Sequence, residues 1–245
     1  MSSIVIAIFL LSIGASFVQR TTGFGFGIFI MTMLPFFLPT YGEATTLSGL
    51  LAITTSAVIV WKLRSFITWK GILPILLTFI IVSTIAIFAL TRFEDLILKQ
   101  ILGVALILIS IYFAVFSQKI KLPITKRVQV GAGTLSGLMG GFFGMQGPPA
   151  VLYFIQREPT KEHYMAMAQA YFLMGNVMMT IVRAYNGFLT TTVLTDYCFG
   201  IGGVIIGTVL GAYVFKRISN RIFRYIVYAY IAVSGVIILL SSCHS

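Results

Sequence analysis

Two glycine clusters inside otherwise apolar stretches are the residues of this sequence best suited to bind a ligand. The first is GFGFG at residues 23–27, shortly after Arg20, and the second is GLMGGFFGMQGPP at residues 137–149. Glycine adopts backbone dihedrals that other residues avoid and lets a ligand approach the main chain closely. A helix that begins at such a break directs its free N–H groups and its positive dipole end into the adjacent space. The clusters therefore predict an anion site formed largely by main chain.

Polar side chains near the clusters are candidates to complete this site. Arg20 either pairs with an anion or extends to the membrane interface, and Gln146 can donate hydrogen bonds. Gln169 and Asn176 share one helix face and either line the pathway or hydrogen-bond to neighbouring helices. The predicted substrate-binding residues are Arg20, Gly23, Gly25, Gly27, Gly144, Gln146, Gly147, Gln169 and Asn176.

Enzyme and metal-site motifs are missing from the sequence. It has no His/Cys cluster with metal-ligand spacing, no phosphate loop with its lysine, and no nucleophile beside a base. We therefore predict that the protein is not an enzyme and uses no cofactor or metal. A transport step would then draw on a proton, an ion gradient or the substrate gradient itself.

The composition indicates an integral membrane protein. Hydrophobic residues make up 58% of the chain and charged residues only 9%, whereas soluble domains are about 25% charged. The chain has 17 Lys and Arg residues against 6 Asp and Glu. In a membrane protein this excess indicates which loops lie on the cytoplasmic side. No basic run is long enough to indicate nucleic-acid binding.

The apolar segments divide into continuous spans and interrupted stretches. Stretches 3–39 and 128–157 contain the glycine clusters, and the arms on either side are short for a crossing of about 30 Å. Each stretch is therefore predicted to be a hairpin of two short helices. The continuous spans are predicted at 43–62, 71–91, 96–116, 162–184, 192–215 and 222–242.

Loop charge supports the hairpins. If each hairpin returns to its starting side, one membrane face collects most of the Lys and Arg residues, and the other receives only Arg92, Lys99 and Arg183. Single crossings would divide the charges about evenly and remove the bias that insertion normally imposes. This model places both termini outside the cytoplasm and makes the basic connection 118–127 cytoplasmic.

The same connection divides the chain into two similar halves, 1–117 and 128–245. Each half reads as a broken or re-entrant hairpin followed by three transmembrane helices, so the predicted fold is an all-α polytopic membrane protein with two inverted repeats. Matching positions include Gly25 with Gly144 and Glu43 with Glu162. Inverted repeats with discontinuous helices are typical of secondary transporters. The alternative is that the clusters only let neighbouring helices pack closely.

Two blocks of the sequence resemble a known transporter family. They are GASFVQRTTGFGFGIFIMTMLPFFLP with the following GEATTLSGLLAI, and GTLSGLMGGFFGMQGPPAVLYF with the span after it. They are similar to the duplicated glycine and proline blocks of the sulfite exporter TauE/SafE family, also called the toluene sulfonate uptake family. The positions that carry the resemblance are Gly23, Gly25, Gly27, Pro35, Gly137, Gly144, Gly147 and Pro149.

The resemblance implies a permease of the cell inner membrane for small sulfur-containing oxyanions such as organosulfonates or sulfite. We expect it to work by alternating access, with the anion between the two breaks, the lipid bilayer as its setting, and a homodimer as a possible assembly. The alternatives are a passive anion channel, a transporter of small carboxylates, and a non-transporting accessory subunit. The direction of transport and the coupling ion are not predicted.

Overall fold

The computed structural model describes residues 2–112, 123, 125–214, 236 and 240. In this part of the chain the regular structure is helical throughout, without a strand. The helices are α1 (Ser2–Thr22), α2 (Phe26–Ile30), α3 (Leu34–Phe37), α4 (Tyr41–Leu63), α5 (Trp69–Leu90), α6 (Asp95–Ile111), α7 (Lys126–Phe143), α8 (Gly147–Arg157), α9 (Lys161–Tyr185) and α10 (Thr191–Val214), with a 3₁₀ turn at Arg64–Phe66.

Several of these helices are long and apolar enough to cross a membrane, which makes the chain a multi-pass membrane protein. The candidate spans among the described residues are Ser3–Thr22, Tyr41–Phe66, Trp69–Leu90, Lys161–Tyr185 and Thr191–Val214. The predicted spans 43–62, 71–91, 162–184 and 192–215 are confirmed by α4, α5, α9 and α10.

Two other predicted spans reach beyond the described part of the chain. Helix α6 covers the start of the predicted span 96–116, and the rest of that span lies outside the described residues from 113 on. The predicted span 222–242 falls outside them too, apart from residues 236 and 240. Most of the connection 118–127 lies there as well.

The two predicted hairpins differ from each other. In the second, α7 has 18 residues and α8 has 11, as the short arms predict. In the first, the expectation of two short helices is wrong, because α1 has 21 residues and is long enough to span the membrane. The helix continues until Gly23 and Gly25 take positive φ angles of 87° and 97°. Beyond them the chain forms only α2 and α3, of five and four residues.

The described helices pack in pairs around a central contact. Helix α1 lies along α10, α7 lies along α5, and α4 packs against α9 in the middle. The two outer pairs approach closely through glycine. A Cβ on Gly207 would overlap the carbonyl oxygen of Ile13, and a Cβ on Gly133 would lie 2.8 Å from the carbonyl oxygen of Ile75. Small residues allow this backbone approach between membrane helices.

The second glycine cluster therefore has two roles. Gly137 and Gly141 lie within α7 and face α5, where a Cβ would meet the carbonyl oxygens of Phe79 and Ser83 at 3.0 and 2.8 Å. At these two positions glycine lets neighbouring helices pack closely, as the alternative interpretation of the clusters states. The chain leaves helical geometry only at Gly144, whose φ is 68°.

The starts of α4 and α9 are capped alike. The Thr40 hydroxyl accepts from the Glu43 N–H, and the Glu43 carboxylate accepts in return from the Thr40 backbone, which is a capping box. Glu43 is therefore a structural cap of α4. At α9 the Thr160 hydroxyl accepts from the N–H of His163. These caps set where the two central helices begin.

Candidate functional site

The two helix breaks meet in the interior of the protein. A Cβ on Gly27 would overlap the carbonyl oxygen of Gly144, so the main chains of the two breaks are in direct contact. A Cβ on Gly147 would lie 3.4 Å from the Cβ of Phe24. The residues after each break therefore lie against the other break, and glycine is required at position 27 because no side chain fits between the two main chains there.

A small cavity lies at this junction. Most of the residues predicted for substrate binding line it, namely Gly25, Gly27, Gly144, Gln146, Gly147 and Asn176. The other lining residues are Gln19, Phe26, Ile28, Ala52, Met145 and Phe172. The structure thus brings residues of both halves of the sequence to one place.

The carbonyl groups of the first break are satisfied by side chains. Gln169 donates from Nε2 to the Gly23 carbonyl at 2.8 Å, and the Tyr164 hydroxyl donates to the Thr22 carbonyl at 3.3 Å. The Thr22 hydroxyl itself donates to the carbonyl of Phe24 at 2.7 Å. Backbone outside a helix needs such partners because lipid provides none.

The second break has the same feature, formed by different residues. Ser136 donates from its hydroxyl to the Gln146 carbonyl and accepts in turn from the Tyr171 hydroxyl at 2.8 Å. The guanidinium of Arg183 donates to the carbonyls of Gly140 and Gly141 at 2.9 and 3.2 Å. The carbonyls at the end of α7 are therefore held by a positive charge, which suits the negative end of that helix.

The starts of α2 and α8 line the cavity with residues 26–28, Gln146 and Gly147. The first intrahelical bond of α2 runs from Phe29 to the Gly25 carbonyl at 2.9 Å, so residues 26–28 precede it, and no side chain caps this end. Helix α8 also lacks a side-chain cap, and Pro148 and Pro149 have no N–H to offer. With carbonyls occupied and N–H groups uncapped, the junction has a donor character that suits an anion.

The helix dipole contributes unequally to this character. Helix α8 has 11 residues and directs its N-terminus at the cavity, whereas α2 has only five. The expectation of two matching helix dipoles therefore applies to α8 alone. At the first break the donors are individual N–H groups.

A network of amides and a hydroxyl closes one end of the cavity. Gln19 donates from Nε2 to Gln169 Oε1 at 2.8 Å and to Ser56 Oγ at 3.0 Å, and Ser56 donates to the same Gln169 oxygen at 3.0 Å. The network ties α1, α4 and α9 together. Gln169 thus lies behind the cavity lining, where it orients Gln19 and the first break.

Two buried amides at the cavity have unmet hydrogen-bonding capacity. Asn176 is 4% exposed and has no hydrogen bond among the residues that the structure describes. Gln146 is 5% exposed and donates to the Phe172 carbonyl at 3.2 Å, while its own Oε1 has no partner. Buried polar groups are normally paired. The Asn176 amide can donate to an anion, whereas Gln146 Oε1 is an acceptor and only its Nε2 can donate to one.

Arg20 lies apart from these groups. A Cβ on Gly211 of α10 would lie 2.8 Å from the Arg20 Cβ and 3.1 Å from its Cγ, so the side chain starts along the α1 contact with α10. Its neighbour Gln19 lines the cavity instead, because successive residues point about 100° apart around a helix. Sequence reasoning singled out Arg20 for its charge and missed Gln19, whose only signal was adjacency to the break.

Arg183 is the second residue whose position the sequence did not reveal. The charge pattern assigned it to a loop face of the membrane, and the structure places it in the last turn of α9 with its side chain 0% exposed. It is the largest fully buried side chain of the described residues. The available signal in the sequence was its distance of about two helical turns from Asn176, which places both residues on one face of α9.

The chain matches a known protein family over most of its length. The family model described as Sulfite exporter TauE/SafE matches residues 8–238. The chain belongs to the sulfite exporter TauE/SafE family. The family resemblance of the two glycine blocks is thereby confirmed. This TauE/SafE chain is also 26% identical over 215 residues to the "Probable sulfite/organosulfonate exporter TauE" of Cupriavidus necator, an alignment that covers 82% of the chain and 80% of that relative. No solved structure matches it.

Replacing Gln169 by leucine is expected to destabilise this TauE/SafE protein by about 2 kcal/mol, because the Gly23 carbonyl and Gln19 lose their partners in a buried site. Thermal unfolding of the purified protein in detergent measures the change. The control is Gln156→Leu, which removes a hydrogen bond to the Leu152 carbonyl within one helix and should cost less than about 0.5 kcal/mol. Equal stability of the two variants would contradict a structural role for the network.

Proposed function

We propose that this protein is a secondary transporter that moves small sulfur-containing oxyanions, organosulfonates or sulfite, across the cell inner membrane by alternating access. The observation that carries the proposal is the junction of the two breaks, where side chains occupy carbonyls of both breaks and the uncapped starts of α2 and α8 line one shared cavity. The family and the printed name of the relative support the substrate class.

The anion binds between the two breaks in this proposal. Its oxygens accept from the N–H groups of residues 26–28 and Gly147 and from the side-chain amides of Gln146 and Asn176. Gln19 donates from Nε2 to Gln169 and Ser56 and so holds the lining in place. Neutral donors in a site of low dielectric bind an anion without a fixed counter-charge, and a site with no full positive charge can release its ligand. The remaining glycines, Gly23, Gly25, Gly27 and Gly144, shape the main chain around it.

The packing of the helices supports two inverted halves. In the two halves, α1 corresponds to α7, α4 to α9 and α5 to α10. The contact of α1 with α10 then corresponds to that of α7 with α5, and the central contact of α4 with α9 corresponds to itself. The lesser contacts of α4 with α10 and of α9 with α5 exchange in the same way. Such symmetry about a midplane site is the arrangement in which one half rocks against the other.

Topology follows from the same proposal. The repeats are 1–117 and 128–245, joined by the cytoplasmic connection 118–127, and both termini lie outside the cytoplasm. The basis is the loop charge of the sequence. We also propose that the protein forms a homodimer.

The test is flux into proteoliposomes that contain the purified protein, with sulfite, taurine, sulfoacetate and acetate supplied in turn. We expect saturable flux of sulfite or sulfonate, and counterflow when the lumen is preloaded with unlabelled substrate. Conductance that does not saturate would instead identify a passive anion channel. Preference for acetate would assign the protein to small carboxylates, and no flux of any anion would overturn the proposal in favour of an accessory subunit.

Gln19→Leu and Arg20→Ala distinguish the cavity from the sequence-based assignment. Loss of the Gln19 amide, which lines the cavity and donates to Gln169 and Ser56, is expected to disorder the lining and to raise KM about tenfold, corresponding to about 1.4 kcal/mol. Arg20→Ala is expected to change KM by less than about twofold, since Arg20 packs against α10. Loss of flux in a folded Arg20→Ala protein would show instead that the Arg20 guanidinium binds the anion.

A further inference from the structure

The buried guanidinium of Arg183 has no counter-charge in the described part of the chain. It is 0% exposed, and no carboxylate of the described residues lies within ion-pair distance of it. A charged side chain inside a membrane protein is costly and normally marks a functional site. An unpaired cation at this depth therefore calls for a physical reason.

The carbonyls that Arg183 contacts do not use all of its donors. A guanidinium has five N–H groups, and Arg183 donates three hydrogen bonds, to Thr45 at 3.1 Å and to the two α7 carbonyls of Gly140 and Gly141. Its Nε has no partner among the described residues. Capacity for at least one oxygen acceptor remains.

Two hydroxyls near this guanidinium are also buried and unpartnered, that of Thr180 on α9 and that of Ser48, which lies about one helical turn after Thr45 on α4. Ser48 is 1% exposed and Thr180 is 9% exposed, and neither hydroxyl has a hydrogen-bond partner in the described structure. A Cβ placed on Gly49 would have Thr180 Oγ1 at 3.2 Å and Arg183 Nη1 at 3.6 Å, so both groups surround that glycine. The site therefore combines one cation with hydroxyls that can rotate to donate.

This cluster adjoins the central cavity. Gly144 lines the cavity, and a Cβ on it would lie 3.7 Å from Ser48 Oγ. On α9, Asn176, Thr180 and Arg183 follow one another at the spacing that places residues on one helix face. Arg183 lies about 10 Å along the helix from Asn176, toward its C-terminal end. The polar groups thus continue from the cavity toward the membrane face where α9 ends.

We propose that Arg183, Ser48 and Thr180 form a second oxyanion site, through which the substrate passes between the central cavity and that membrane face. This inference rests on the proposed transport function and adds a waypoint to it. The free Nε–H of the guanidinium donates to one oxygen of a sulfite ion or a sulfonate head group, and the two hydroxyls donate to the others. Either anion carries this chemistry, so the head group is what the site recognises.

Removal of the unpartnered hydroxyls separates ligand binding from structure. Thr180→Val and Ser48→Ala remove no hydrogen bond of the described structure, so thermal stability is expected to stay the same or rise. The same variants are expected to lower kcat/KM of flux about fivefold to tenfold, because the anion loses a donor on its way. The control is Thr195→Val, an exposed position on α10 whose hydroxyl bonds only within its helix.

The kcat/KM of flux is measured separately for sulfite and for methanesulfonate. Equal losses for both anions support recognition of the shared head group, and a loss confined to one supports a site that accepts only that anion. Stable variants that retain wild-type kcat/KM for both anions would overturn the waypoint while leaving the central site intact. No flux in the parent protein would instead overturn the proposed function itself, so the two failures are distinguishable.

An Arg183→Lys variant adds a second measurement. Lysine retains the charge but lacks the planar fork, so kcat/KM is expected to fall at least tenfold, while a thermal shift on adding millimolar sulfite reports binding at the central cavity. A retained shift with reduced flux supports the waypoint. Wild-type flux in a stable Arg183→Lys protein would contradict it.

Discussion

Gly27→Ala is expected to abolish transport and to prevent the protein from reaching its native structure. The added Cβ would overlap the carbonyl oxygen of Gly144. Both atoms belong to main chain at the two breaks, so no side-chain rotation relieves the clash. Large destabilisation, above about 4 kcal/mol, follows when such overlap is forced on a packed interior. The measurement is the yield of monodisperse protein in detergent, followed by thermal unfolding of whatever is recovered.

The matched control for this substitution is Gly131→Ala. Gly131 is an exposed helical position in α7 where an added Cβ meets nothing within 4 Å. Alanine there should leave stability unchanged or raise it by up to about 1 kcal/mol, because alanine favours helix more than glycine does. A Gly27→Ala protein with wild-type stability would show that the two breaks are not in contact.

Asn176→Asp is expected to lower anion flux at least 100-fold without loss of fold. The substitution nearly preserves size but places a carboxylate on the cavity lining. Two like charges about 4 Å apart repel by about 4 kcal/mol at an effective dielectric constant of 20, which corresponds to a factor of about 1,000. The assay is sulfite or sulfonate flux at slightly alkaline pH. Partial recovery on acidification is expected, because protonation removes the charge.

Asn186→Asp makes the same chemical change outside the cavity. Asn186 follows the last residue of α9, and its amide donates to the Val182 carbonyl at 2.8 Å. Flux through this variant should fall far less than through Asn176→Asp, since the new carboxylate lies at the end of α9 and not on the lining of the central cavity. Undiminished flux in Asn176→Asp would remove the central cavity from the transport path.

The positions of the membrane spans were predictable because they depend on local properties of the chain. Helix α5 and helix α10 begin and end within about two residues of the predicted spans 71–91 and 192–215. A run of apolar residues of bilayer length forms a helix whatever its neighbours, since lipid offers its backbone no other partners. Glycine at positions 25 and 144 permits the positive φ found there.

The length of the first hairpin was not predictable in the same way. Gly14 lies within α1 and is accommodated in the helix, where a Cβ would meet the ring of Phe29 at 2.6 Å. Glycine permits a break but does not require one. Whether a glycine bends the chain or only admits a neighbour depends on what packs against it, as Gly137 and Gly144 show.

By itself the sequence determined that this protein crosses the membrane repeatedly, that glycine breaks interrupt two of its segments, and that it resembles the TauE/SafE family. Only the tertiary structure decided that the two breaks touch, that Gln19 rather than Arg20 lines the cavity between them, and that Arg183 is buried. Hydropathy is summed along the chain, whereas the direction of a side chain is set by helix rotation and by contacts between residues as distant in sequence as Gln19 and Gln169.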